Sequence, residues 1–99
     1  MSLTYGLNDA LLFEVPDRAA AEQLSTRLRQ RTWIEWVEER DGEWFVSALL
    51  RPSRGDLAIL LREVEAWASE RGLDELWFLL DRRSYLLKVG DSELASAAG

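Results

Sequence analysis

Apolar and polar positions alternate along this chain with two periods, and each change of period marks a new element. In "ALLFEVP", residues 10–16, alternation sets Leu11, Phe13 and Val15 on one side of an extended segment and Leu12 and Glu14 on the other, before Pro16 ends it. Asp17 is placed to cap a helix over residues 18–31, where Ala20, Ala21, Leu24 and Leu28 recur at helical spacing. The period returns to two in "WIEWVEERDGEWFVSALL", residues 33–50, on both sides of Asp41-Gly42. That dipeptide is a strong hairpin signal, because both central positions of a type I′ turn require positive φ. From Asp56 the residues Leu57, Leu60, Leu61, Val64, Trp67 and Ala68 form the stripe of a second helix, which Gly72 stops. "LWFLL", residues 76–80, reads as a fourth strand. Beyond it, "DRRS" either turns the chain into a fifth strand, "YLLKV" at 85–89, or residues 81–89 continue as one long bulged strand or a helix.

With Arg40 and Glu43 flanking the turn, the hairpin register assigns every side chain to a face. One face carries Trp33, Glu35, Val37, Glu39, Trp44, Val46, Ala48 and Leu50; the other carries Ile34, Trp36, Glu38, Phe45, Ser47 and Leu49. The order strand, helix, strand, strand, helix, strand resembles the ferredoxin-like α+β superfold. That resemblance implies an antiparallel βαββαβ sheet with both helices on one face, here with room for an extra C-terminal edge strand. It rests on element order over residues 10–89 and implies shape, since the superfold hosts many unrelated activities. One domain is expected over 10–89, preceded by a segment, 1–9, and followed by a flexible tail, 90–99.

In the usual strand order of that superfold the Trp44 strand is central, and its all-apolar face is the better fit to the helices. The opposite face then displays Leu12, Ile34, Trp36, Phe45 and Leu49, with Trp77 or Phe78 joining according to the register of the fourth strand. Such a cluster exceeds what a soluble monomer comfortably exposes, so a cover is expected: a second copy of the chain, or its own terminal segments.

Composition narrows the chemistry. There is no cysteine and no histidine, which removes thiolate chemistry, the commonest general base and the commonest metal ligand. No metal site, cofactor or catalytic residue is assigned. A net charge of −6 argues against nucleic acid as a partner, and no apolar run reaches the length of a membrane span, so a cytoplasmic protein is the default expectation. The acidic hairpin residues Glu35, Glu38, Glu39, Asp41 and Glu43 alternate between faces and read as a solvated, aggregation-resistant edge. Arg51 and Arg54, just before the second helix, are the candidate anion-binding residues.

Three functions compete at this point. The first is a non-catalytic binding or regulatory module that homodimerises through the open sheet face. The second is an acidic inhibitor or immunity-type protein that masks a basic protein partner. The third is a small cofactor-poor enzyme of the dimeric ferredoxin-like type, with Tyr5, Asn8, Trp33, Glu35 and Tyr85 lining a cavity. The first is the reading the two-sided apolar hairpin favours.

Overall fold

The structure, a computed structural model, describes residues 10–89, over which the chain runs β1 (Ala10–Val15), α1 (Arg18–Gln30), β2 (Glu35–Arg40), β3 (Glu43–Leu49), α2 (Asp56–Glu70), β4 (Glu75–Leu80) and β5 (Arg83–Lys88). The segments 1–9 and 90–99 lie outside the described residues. The strands form one antiparallel sheet in the order β2-β3-β1-β4-β5. Without β5 this is the ferredoxin-like arrangement expected from the element order, and β5 extends it beyond β4.

Local chemistry explains the boundaries. Asp17 caps α1, its carboxylate accepting from the Ala20 N–H at 2.8 Å. Helix α2 ends where Gly72, at φ +80°, takes the left-handed conformation that closes a helix. Helix α1 buries Ala20, Ala21, Leu24, Ser25 and Leu28, while α2 buries Asp56, Leu60, Val64, Trp67 and Ala68. Those apolar residues share one core with Leu11, Phe13, Val15, Val46, Ala48, Leu76 and Phe78 from the sheet. Arg27 of α1 braces the helices together, pairing with Glu70 at 2.8 Å and with Glu63. Its hydrogen bonds to Glu70 and Glu63 hold its guanidinium above its ordinary pKa.

The β2–β3 hairpin has the expected register, with Arg40 opposite Glu43, Val37 opposite Val46 and Glu35 opposite Ala48. Asp41 and Gly42 stand at φ +51° and +85°, as the turn requires. Residues 81–89, left open between strand and helix, form a second hairpin: Leu80 pairs with Arg83 and Phe78 with Tyr85. Its turn residues Asp81 and Arg82 both have positive φ, +55° and +66°. The geometry is that of the first hairpin, without the glycine that announces it. Within "DRRS" only Asp81 and Arg82 make the turn, since Arg83 is already the first residue of β5.

An L-residue in the left-handed region is strained by about 1 kcal/mol. Arg82→Gly is accordingly expected to stabilise the protein by about 0.5–1 kcal/mol, after allowing for the greater freedom of glycine in the unfolded chain. Denaturant midpoints of the two proteins measure the difference, and an unchanged or lower midpoint would contradict the turn geometry.

Candidate functional site

The pleat sends alternate side chains to opposite faces, so the pairings determine what each face carries. On the helix side lie Leu11, Phe13 and Val15 of β1, Trp44, Val46 and Ala48 of β3, and Leu76 and Phe78 of β4. The other side has no helix over it among the described residues. There a row of paired positions crosses all five strands: Trp36, Ser47, Leu12, Leu79 and Ser84. The neighbouring rows bring Phe45 and Glu14 together on one side of Leu12, and Leu49 and Ala10 on the other. Ile34 adjoins Leu49, whose N–H donates to the Ile34 carbonyl at 3.0 Å.

All five residues expected at an interface, Leu12, Ile34, Trp36, Phe45 and Leu49, thus stand on this face. Ile34 is 65% exposed and Trp36 40%, while Leu12, Phe45 and Leu49 are half-buried by their neighbours. The register also decides between Trp77 and Phe78. Phe78 points into the core, 5.6 Å from the Phe13 ring centroid, and Trp77 faces out at 46% exposure. Leu79 and Leu86, which sequence patterning left unassigned, complete the patch beside Trp77. Only the pairing of Leu12 with Leu79, between strands far apart in the chain, could have placed them. Three strand spacings separate Trp36 from Trp77, about 14 Å of largely apolar surface. Its charged residues are Glu14, Glu38, Arg40, Glu43, Glu75 and Lys88, and the Arg40 guanidinium lies 5.7 Å over the Phe45 ring while pairing with Glu38.

Arg51 and Arg54 are placed differently from each other. Arg54 is exposed in the loop before α2. Arg51 is bound into a clasp around Asp56, a buried carboxylate in the first turn of α2. One Asp56 oxygen accepts from the Arg51 backbone N–H at 2.8 Å and from the Trp33 indole Nε1–H at 3.0 Å. The other accepts from Arg51 Nε at 2.9 Å and pairs with its Nη2 at 2.8 Å. The guanidinium carbon stacks 4.2 Å from the Trp33 ring centroid, and Nη1 donates to the Arg31 carbonyl and to Thr32 Oγ1, each at 3.1 Å. Negative charge does sit at this helix amino terminus, as the dipole favours, and the chain itself supplies it. Burial pushes the Asp56 carboxyl upward, yet hydrogen bonds from the Arg51 backbone and side chain and from Trp33, with the Arg51 charge, hold it below the ordinary carboxylate value.

Glu35, the acidic residue nearest to a candidate acid or base, is engaged as well. Its carboxylate accepts from Ser25 Oγ and, at 2.9 Å, from Arg29 Nε, which ties the β2 edge to α1. Among the described residues no three acidic side chains converge as a metal site, and no helix is long and apolar enough to cross a membrane. Comparison of the sequence with models of protein families and with curated proteins finds no match to either.

The clasp makes a pH-dependent prediction. Asp56 has a lower pKa folded than unfolded, so its contribution is complete above the unfolded value, about 4, and is lost as pH falls through the folded value. Asp56→Asn is expected to cost about 2 kcal/mol at neutral pH, the scale of hydrogen bonds to a charged group. The gap from wild type should close in acid, and a gap independent of pH between 2 and 7, read from denaturant titrations at about unit intervals, would show that the charge is not what stabilises the clasp.

Proposed function

We propose that this protein is a small non-catalytic binding or regulatory module that homodimerises through the uncovered face of its sheet. The observation that carries the reading is the strip from Trp36 through Leu12 and Leu79 to Trp77, apolar on a face where a solvated sheet alternates to polar residues. Five strands at about 4.8 Å and six residues at about 3.3 Å make a face of roughly 24 by 20 Å. That is roughly 480 Å² of flat area before side-chain relief is added, against the ~800 Å² that each partner gives to an interface of standard size.

A second copy fits this face better than a charged partner does. A two-fold contact requires one patch to complement itself, and interlocking rings and aliphatic side chains do so without matched charges. Each copy carries −6, so long-range electrostatics oppose self-association and the apolar strip must supply the attraction. Added salt therefore strengthens this contact, whereas it weakens the grip of an acidic inhibitor on a basic enzyme.

Sedimentation at tens of micromolar tests the reading. Trp36→Glu is expected to weaken face-to-face association about thirty-fold, as loss of an interface tryptophan worth about 2 kcal/mol does, and to halve the sedimenting mass. Trp36 is solvent-accessible in the single chain, so folding should survive the change. An unaltered mass, or association that falls as salt rises, would remove the support for stacking.

A further inference from the structure

The two edges of the sheet are protected unequally. β2 is guarded: four of its six residues, Glu35, Glu38, Glu39 and Arg40, are charged, and Glu35 points toward the helices, where Ser25 and Arg29 hold it. In β5 the charges stand only at the ends, Arg83 and Lys88, around the run Tyr85-Leu86-Leu87. Tyr85 is 41% exposed, stacked on Phe78 with 5.4 Å between ring centroids.

The direction of the backbone groups on this edge follows from the turn. Across a two-residue turn the first pair, here Leu80 and Arg83, exchanges both hydrogen bonds, so Arg83, Tyr85 and Leu87 turn their N–H and C=O groups to β4. Val89 keeps this phase, its N–H donating to the Asp74 carbonyl at 2.9 Å. Ser84, Leu86 and Lys88 therefore direct theirs outward, and no described strand lies beyond them.

We infer that β5 pairs antiparallel with β5 of a second copy, about a two-fold axis through Leu86. The choice of axis comes from charge. An antiparallel partner must match outward-directed residues with outward-directed residues, which limits the axis to a residue position, and the strand overlaps itself best with the axis at Tyr85 or at Leu86. An axis at Tyr85 sets Arg82 against Lys88, like charges directly opposite, which is destabilising. An axis at Leu86 sets Arg83 against Val89, Ser84 against Lys88, Tyr85 against Leu87 and Leu86 against itself. That register opposes no like charges and packs a ring on an aliphatic side chain twice.

The contact does not depend on the face-to-face reading and is compatible with it. A two-fold axis perpendicular to the sheet keeps both helical layers on one side and both uncovered faces on the other. Trp77, paired with Leu86, then joins its counterpart in one strip spanning ten strands.

The chain lacks cysteine, so a single introduced thiol reports on one position. At a hydrogen-bonded antiparallel pair the Cα atoms stand about 5.5 Å apart, inside the ~4.4–6.8 Å span of a disulfide. Leu86→Cys in the Trp36→Glu background is expected to sediment as a dimer and to become a covalent dimer on mild oxidation. Ser84→Cys should stay uncrosslinked, because its two copies lie about 13 Å apart along the pair. Leu86 also stands on the uncovered face, and a disulfide can bridge two stacked sheets, so it is the Trp36→Glu background, which weakens face-to-face association, that assigns the Leu86 link to the edge. In the protein without substitutions, the amides of Ser84, Leu86 and Lys88 should be protected from hydrogen exchange. Failure of Leu86→Cys to cross-link, equal cross-linking by Ser84→Cys, or free exchange at those amides would each overturn the pairing and leave the face-to-face reading untouched.

Discussion

A β-strand cannot choose which of its faces receives a side chain, because the pleat assigns them by turns. Where apolar residues occupy both phases, a sheet needs shelter on both sides. Here the helix layer covers one side, and Leu12, Phe45, Leu49, Trp77, Leu79 and Leu86 arrive on the other through strand phase alone. The three tryptophans of the β2–β3 hairpin region therefore divide between the two sides. Trp33 and Trp44 belong to the core side and Trp36 to the surface. The same alternation that fills the core sets apolar side chains on the uncovered side.

A second level of organisation holds the hairpin in position under the helices. Trp33 precedes β2, Arg51 follows β3, and Asp56 begins α2, so their mutual contacts close the loop ends around the hairpin's open end. A buried carboxylate with donors on both oxygens is costly to disturb piecemeal, because removing one partner strands the rest. On the other flank, Glu35 fastens the start of β2 to α1 through Ser25 and Arg29. Both anchors lie on the core side or at its margin, whereas the uncovered face carries the Arg40–Glu38 pair beside Phe45.

How much of this was legible depends on the sequence distance over which each feature is encoded. The β2–β3 register followed from Asp41-Gly42, a local signal whose positive φ values have an evident chemical reason. The β4–β5 turn has the same geometry, but Asp81-Arg82 adopts it against the preference of arginine, so composition gave no warning. Five residues of the uncovered face could be named from alternation within β1 and the hairpin. Trp77, Leu79 and Leu86 could not, because their phase depends on pairing with β1, which is remote in the chain. At the start of α2 the pattern marked Arg51 and Arg54 as candidate anion-binding residues, and in the structure Arg51 is engaged by a carboxylate of the chain itself. That the anion is Asp56, gripped also by an indole from the preceding hairpin strand's entrance, is a tertiary fact without a local signature.

The sheet order also has a consequence for the birth of the chain. β1 lies at the centre, flanked by β3 and β4, yet it leaves the ribosome before either of them. At about 5–20 residues per second, several seconds pass before its second neighbour is synthesised. Through that interval Leu11, Phe13 and Val15 have no completed interior to enter, and Glu14 and Pro16 interrupt a segment otherwise suited to errant aggregation. The part of the molecule that finishes most enclosed is the part that waits longest in the open.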